Sequence, residues 1–70
     1  MKTGYVYILS NFNRTTFYIG VTSDLEKRIA EHREGKIEGF TRRYRLKYLV
    51  YFEEVGSIDF AVTRERQLKN

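Results

Sequence analysis

Two tyrosines, one arginine and one histidine in the first half of the chain are the residues whose types and spacing could do chemistry. Tyr7 and Tyr18 each lie in a short apolar run, and Arg28 and His32 follow, four residues apart. Phenol and imidazole groups can hold and transfer protons, and a guanidinium can grip an anion through parallel hydrogen bonds. These four side chains could face one cleft if the elements that carry them fold against one another.

Two short strands joined by a polar loop are predicted to position the tyrosines. The runs Tyr5–Leu9 and Thr16–Val21 are rich in β-forming residues, and the residues between them are mostly polar and turn-forming, which is typical of a β-hairpin. Side-chain alternation puts Tyr7 on the same face as the two apolar residues at positions 5 and 9. Gly20 shares a face with Tyr18, and its missing side chain would leave room there.

A helix is predicted to follow the hairpin directly, from about Asp24 to Glu34. Ser23 and Glu26 have the Ser-x-x-Glu spacing of a capping box, and Gly35 is a natural stop.

The face of this helix that carries Arg28 and His32 also carries its apolar residues. Leu25 and Ile29 are one turn apart, and Arg28 and His32 fall on the same stripe. The structural alternative is an arginine extending off the edge of the stripe and a histidine satisfied by a backbone carbonyl. With the tyrosine strands beside the helix, a functional site is the better interpretation.

A loop with a basic and aromatic cluster follows, in residues 35–45. Arg42, Arg43 and Arg45 could neutralise phosphates, Lys36 could also bind nucleic acid, and Phe40 or Tyr44 could stack or pack. The alternative is a solvated charged connection with its aromatic residues in the core. Phe40 is predicted to lie in the core.

The remaining chain predicts a third strand and a second helix. The near-continuous apolar run within Leu46–Glu54 predicts a central strand covered on both faces. Ser57 is expected to cap a helix from about Ile58 to the end, where Asn70 is the last possible stop signal. Glu65 falls on the apolar stripe of that helix, where a carboxylate is costly unless it binds a metal or pairs, with Arg28 as the obvious candidate partner.

The composition bounds what the chain can be. Seventy residues make one small domain, 1–70, with no room for a large organic cofactor. Without cysteine, disulfides and thiolate metal sites are excluded. No apolar run approaches membrane-spanning length and no secretory signal opens the chain, which favours the cytoplasm. The formal net charge of +4 suits a polyanionic partner, with simple solubility as the alternative.

These segments together resemble the GIY-YIG nuclease domain, and within that superfamily the small single-domain, uncharacterised bacterial branch known as UPF0213. Ten residues separate Tyr7 from Tyr18, which fits the family hairpin. The matching segments cover nearly the whole chain and are Tyr5-Val6-Tyr7, Tyr18-Ile19-Gly20, Arg28 with His32, and residues 40–44 and 61–67. The chain departs from the first triplet in having tyrosine where the leading glycine belongs, although a glycine comes just before it.

The resemblance implies a role for each candidate residue. Tyr7 would act as a general base or position the attacking water, and Tyr18 would orient the water or the phosphate. Arg28 would grip the phosphate and, with His32, would lower the pKa of the Tyr7 phenol. Glu65 would hold one divalent cation, Mg²⁺ or Mn²⁺, with waters completing its coordination shell.

The sequence therefore predicts an α/β sandwich of ββαβα order, with a small, mostly antiparallel three-stranded sheet and flanking helices. The predicted function is metal-dependent endonuclease hydrolysis of DNA, with branched or damaged DNA as a plausible substrate. The alternative is a module of the same fold that binds nucleic acid without cutting it. Members of the family usually continue further, so the domain is also expected to be truncated at its C-terminus.

Overall fold

The computed structural model of the protein describes residues 3–37 and 39–69. The predicted α/β fold, with three antiparallel strands and flanking helices, is confirmed, and a short helix is added within the segment predicted as a loop. The elements are, in chain order, β1 (Gly4–Ser10), β2 (Phe17–Thr22), α1 (Leu25–Arg33), α2 (Phe40–Arg43), β3 (Tyr48–Val55) and α3 (Ile58–Lys69). The helix stop predicted at Asn70 lies outside the described residues.

The hairpin of β1 and β2 brings the two tyrosines to one side of the sheet. In the antiparallel register Tyr7 lies opposite Gly20, and Leu9 lies opposite Tyr18. The side-chain carbonyl oxygen of Asn11 accepts hydrogen bonds from two backbone N–H groups of the connecting loop, at 2.9 and 3.2 Å. The loop is therefore closed by its own polar residue, as the composition of residues 10–16 predicts.

The third strand lies at an edge of the sheet, so the prediction of a central strand is wrong. The strand order is β2-β1-β3, and β1 takes the central place between its two antiparallel neighbours. Tyr48, Tyr51 and Phe52 of β3 are 47%, 43% and 52% exposed. An apolar run indicates that a strand has many apolar residues. It does not indicate how many strands lie beside it, because that depends on pairing between distant segments. Leu46, predicted within the strand, precedes it and is fully buried in the core.

A β-bulge interrupts the pairing of β3 with β1. Ile8 lies opposite Tyr51 and Leu9 lies opposite Leu49, which leaves Val50 as the extra residue. Bulges are common on edge strands, because they disturb the flat edge that another chain could pair with.

Helices cover both faces of the sheet. Tyr7 and Leu9 of β1 belong to a core cluster with Ile29 of α1 and Leu46. Gly4 belongs to the opposite face by alternation and meets α3, where an added Cβ would lie only 3.0 Å from Cβ of Ala61. The close approach of α3 therefore depends on the absence of a side chain at position 4.

Polar side chains cap the N-termini of α1 and α3, and the cap of α1 is not the residue that was predicted. Asp24, rather than Ser23, is the N-cap of α1, and its carboxylate accepts a hydrogen bond from the backbone N–H of Lys27 at 3.2 Å. Aspartate caps as well as serine and adds negative charge at the positive end of the helix. The Ser57 hydroxyl accepts from the backbone N–H of Phe60 at 3.3 Å, as expected for a cap of α3. Among the described helices, none has the length and apolar character to cross a membrane.

Candidate active site

A chain of hydrogen bonds runs from Tyr7 through His32 to Thr41. The Tyr7 hydroxyl lies 3.1 Å from Nε2 of His32, and Nδ1 of His32 lies 3.1 Å from the Thr41 hydroxyl. All three residues are at most 6% exposed. His32 is the single histidine of the chain, and both of its ring nitrogens have side-chain partners. The alternative in which a backbone carbonyl satisfies this histidine is therefore wrong.

Tyr18 completes a cluster of three rings around this chain. Its ring centroid lies 6.2 Å from that of Tyr7 and 5.8 Å from that of His32. Tyr7 and His32 are themselves 5.8 Å apart by centroid. The hairpin brings the tyrosines together, and α1 adds the imidazole.

Gly20 makes the cluster possible, because the Tyr7 ring lies over its Cα. A Cβ at position 20 would lie 2.5 Å from both Cζ and Oη of Tyr7 and 2.8 Å from Cε2 of Tyr18. Carbon atoms pack at 3.5–4.0 Å, so no other residue fits without displacing a ring. The room predicted beside Tyr18 is present, and Tyr7 is the ring that occupies most of it.

The pKa of Tyr7 is raised well above its ordinary value, which contradicts the expected lowering by cationic neighbours. Burial of the phenol is the largest cause, followed by the nearby Tyr18, and the charges of Glu65 and Glu31 act in the same direction. Arg28 lowers this pKa, but by less than the groups that raise it. Free Tyr7 is therefore a neutral phenol, and any proton that it accepts requires it to release its own.

His32 is held in its neutral form. Burial is the largest cause that lowers its pKa, and the positive charge of Arg28 adds to it, while Glu31 opposes both. A neutral imidazole has one N–H and one acceptor nitrogen, so Nδ1–H can donate to the Thr41 hydroxyl while Nε2 accepts from the Tyr7 hydroxyl. The expected cationic field of His32 is absent, and an acceptor for the Tyr7 proton takes its place.

Arg28 lies at the margin of the ring cluster, on the same face of α1 as His32. Its side chain is 41% exposed, and Nε lies 3.8 Å from a carboxylate oxygen of Glu31. A groove of about 220 Å³ lies beside it, lined by residues that include Lys27 and Thr22. Arg28 therefore offers guanidinium donors to solvent while its charge reaches the Tyr7 phenol.

Glu65 acts on the cluster through its charge. It belongs to α3, whose first turn meets Gly4 of β1, and its carboxylate contributes to the raised pKa of Tyr7. Its side chain is 22% exposed, and a carboxylate oxygen lies 3.4 Å from Nζ of Lys69, one turn along the helix. The ion pair with Arg28 considered as an alternative is therefore wrong, since Arg28 pairs with Glu31.

The carboxylates offer a metal ion few ligands. In residues 3–37 and 39–69, no three side chains among His, Cys, Asp and Glu come close enough together to hold a metal ion. Glu65 alone remains as the predicted ligand. Mg²⁺ is often bound through one or two carboxylates, with waters and substrate phosphates as the other ligands, so a single carboxylate still fits such an ion.

The basic segment is exposed as predicted, but Phe40 is not in the core. Phe40 is 48% exposed and Tyr44 is 45% exposed. Arg42 and Arg43 are also exposed, and Lys36 pairs with Glu34 at 2.9 Å. Thr41 and Leu46 take the buried positions of this segment, so the core has no place for the Phe40 ring.

Thr41 is the member of the site that sequence reasoning missed. It lies nine residues from its partner His32, in the segment predicted as a loop, and its hydroxyl gave no periodic signal. A threonine between exposed aromatic and basic residues becomes significant only when the segment folds back onto α1.

The sheet, the paired tyrosines and the arginine and histidine of the next helix together define a small α/β domain of a nuclease class. A family model described as the GIY-YIG catalytic domain matches residues 3–70, and the chain belongs to this family. It is 40% identical over 70 residues to a UPF0213 protein of Syntrophus aciditrophicus, which covers 99% of this chain and 79% of the relative. It is 41% identical over 69 residues to a UPF0213 protein of Streptococcus pyogenes serotype M3, covering 97% and 73%. No solved structure matches the chain.

Proposed function

We propose that this domain, spanning residues 1–70, is a metal-dependent endonuclease that hydrolyses DNA phosphodiester bonds. The observation that carries the proposal is the buried hydrogen-bond chain from Tyr7 to His32 and Thr41, with Arg28 at its margin. A phenol joined to a neutral imidazole can accept a proton at one side while it releases its own at the other. A buried structural tyrosine also needs a hydrogen-bond partner, so the bond supports the proposal together with Arg28 and not by itself.

The proposed proton path starts at the attacking water. The water gives a proton to Oη of Tyr7, and the Tyr7 hydroxyl proton passes to Nε2 of His32. In the tautomer whose Nδ1–H donates to the Thr41 hydroxyl, Nε2 is the acceptor. The water oxygen forms a bond to phosphorus, the bond from phosphorus to the leaving oxygen breaks, and the leaving oxygen takes a proton from solvent. His32 then returns its extra proton to solvent through Tyr7, which restores the neutral imidazole. Because Tyr7 stays neutral before and after the transfer, its raised pKa is compatible with this path.

Arg28 and Tyr18 are proposed to hold the phosphate. The Arg28 guanidinium is partly exposed beside a groove and can donate to phosphoryl oxygens as negative charge develops on them. The Tyr18 ring contacts both Tyr7 and His32, and its hydroxyl would orient the water or the phosphate.

The divalent cation, Mg²⁺ or Mn²⁺, would be held by Glu65 and by waters. When bound, it supplies positive charge that stabilises the phosphoryl oxygens. Glu65 must then exchange its pairing with Lys69 for the ion, which the exposed position of that lysine allows.

The proposed substrate is DNA, bound without sequence preference, with branched or damaged DNA as the natural target and the cytoplasm as the location. The exposed Lys36, Arg42, Arg43 and Tyr44 would bind its backbone, in keeping with a formal net charge of +4.

The test is cleavage of duplex, branched and single-stranded DNA with added Mn²⁺ or Mg²⁺. Arg28→Ala should lower the cleavage rate by about 10²–10³-fold, because a charge-stabilising donor is lost. Glu65→Gln should abolish metal-dependent cleavage while DNA binding through the arginines stays largely intact. Glu34→Gln is the matched control, because it neutralises an exposed carboxylate paired with another lysine, Lys36. Parental activity retained by Glu65→Gln would refute the metal role.

A binding module that does not cut DNA is the second candidate, and the burial of Tyr7 with its raised pKa favours it. Thermal melts separate the two. An ion that binds only the folded protein stabilises it increasingly as the ion concentration rises above its dissociation constant, so Mn²⁺ should raise the melting temperature of the parent and not of Glu65→Gln. A pure binder shows no metal shift and no cleavage.

A further inference from the structure

The large side chains of segment 40–45 are exposed to solvent, although the core of this small domain contains few large side chains. Only Thr41 within the segment is buried, and Leu46 anchors its end, with the backbone N–H of Leu46 donating to the Thr41 carbonyl at 2.9 Å. A chain of 70 residues gains stability from each apolar ring that it buries. Aromatic residues of β3 are exposed to a similar degree, so exposure by itself does not indicate a ligand; the arrangement of these two rings and the charges around them do.

The two rings form one aromatic surface. The centroids of Phe40 and Tyr44 are 4.8 Å apart, with planes tilted by 46°. The Arg43 guanidinium carbon lies 5.5 Å from the centroid of Tyr44, a cation–π arrangement. Each ring is thus fixed by a neighbour and still exposes close to half of its surface.

We propose that Phe40 and Tyr44 form a stacking site for unpaired DNA bases beside the catalytic cluster. The inference rests on the proposed nuclease function and names its substrate class: duplexes that carry unpaired nucleotides next to the bond to be cut. Aromatic rings stack on the faces of unpaired bases with little regard to sequence, while flanking arginines neutralise the backbone. In an intact duplex the base faces are covered by their neighbours, so such a surface has no ligand there.

The charge around the rings argues for a nucleic acid. Arg42 and Arg43 lie between the two rings in the sequence, Arg45 follows Tyr44, and all three arginines are exposed. Phe60 provides the contrast, because it is 68% exposed on α3 but follows Asp59. An exposed aromatic residue by itself thus does not indicate nucleic-acid binding. Two paired aromatic rings next to three exposed arginines do.

The stacking site is tied to the catalytic cluster through one residue. Thr41 lies next to Phe40 in α2, and its hydroxyl lies 3.1 Å from Nδ1 of His32. The position of the aromatic pair is therefore fixed relative to the Tyr7 hydroxyl by two consecutive hydrogen bonds. Unpaired bases held there would put the adjoining phosphates near Arg28.

The experiment measures binding by fluorescence anisotropy in EDTA, where cleavage is absent. Three labelled probes are compared: a fully paired duplex, the same duplex with a single-stranded flap, and that duplex with an abasic flap. The abasic flap keeps the phosphates and removes the bases. The proteins are the parent, Phe40→Ala/Tyr44→Ala, Phe40→Leu/Tyr44→Leu, which keeps apolar bulk, and Phe60→Ala as the control.

The parent should bind the flap at least about five-fold more tightly than the abasic flap, which is about 1 kcal/mol for one stacked base. Both double variants should lose this preference and bind the two flaps alike. Phe60→Ala should keep it. Thermal melts show whether each variant is folded, and the leucine pair separates the loss of stacking from the loss of apolar surface.

The proposal is overturned if the parent binds both flaps equally, if it binds no DNA, or if the leucine pair keeps the preference for bases. A preference lost equally in Phe60→Ala also overturns it. The proposed nuclease function fails separately. Base-dependent binding without cleavage would leave the stacking site in place and remove the enzyme. Cleavage with equal binding of both flaps would remove the stacking site and leave the nuclease function in place.

Discussion

Replacing Gly20 by alanine tests the idea that the space above this residue belongs to the Tyr7 ring. The added Cβ would lie 2.5 Å from Cζ and Oη of Tyr7 and 2.8 Å from Cε2 of Tyr18. A normal carbon contact requires the Tyr7 ring to retreat by about 1 Å. That ring is only 2% exposed, and its hydroxyl is held 3.1 Å from Nε2 of His32, so it has no free path.

The size of the effect follows from this geometry. Forcing an extra carbon into a well-packed site costs about 1–3 kcal/mol of unfolding free energy. In a domain of this size each kcal/mol lowers the melting temperature by about 4–8 °C, so a fall of at least about 4 °C is expected. A displacement of about 1 Å would also break the bond from Tyr7 to His32, since a separation near 4 Å is outside hydrogen-bond range. Cleavage should fall with stability.

Thermal melts of Gly20→Ala and Gly56→Ala, followed by circular dichroism, make the comparison. At Gly56 an added Cβ has no neighbour within 4 Å, so alanine there should be neutral or stabilising by up to about 1 kcal/mol. The reasoning about the ring cluster would be refuted if Gly20→Ala had the same melting temperature as Gly56→Ala and kept the parental cleavage rate.

Three further predictions address the rest of the site. Stability should fall as the pH drops below about 6.5, because the pKa of His32 is lowered in the folded state and the unfolded chain therefore binds the proton first. The melting temperatures at about pH 7.5 and 5.5 should differ less in His32→Gln than in the parent. Thr41→Val should cost about 1–3 kcal/mol in a denaturant titration, because Nδ1 of His32 loses its buried partner. Arg42→Glu and Arg43→Glu should each weaken DNA binding for all sequences alike and lower the salt slope by about 1, measured by anisotropy.

Controls and contrary outcomes are available for each of these changes. An NMR titration of the single histidine reports its pKa directly, and a value at or above 6.5 would contradict the burial argument. Thr41→Ser keeps the hydroxyl and should stay closer to the parent than Thr41→Val. Arg66→Glu reverses an exposed charge on α3, and equal losses in it and in the Arg42 variant would mean that only net charge matters.

The local elements of this protein could be predicted from the sequence because short-range rules determine them. Alternation put Tyr7 and Leu9 on one face of their strand, which the structure shows to be a core face, and the polar loop predicted the hairpin. Helical periodicity put Arg28 and His32 on one face, and Ser57 caps α3 as expected. Each of these inferences depends on residues within about two turns or one hairpin of each other, where spacing and geometry are linked.

The strand order, the partner of His32 and the protonation of the site were decided only by the tertiary structure, because they depend on contacts between distant segments and on burial. The apolar run of β3 could not reveal that β1 takes the centre of the sheet, and the placement of Thr41 against His32 depends on how segment 40–45 folds back onto α1. The protonation of the site was likewise beyond the sequence. The residues near Tyr7 predicted a lowered pKa, but the cost of burying a phenolate outweighs the charge of Arg28, and the pKa rises.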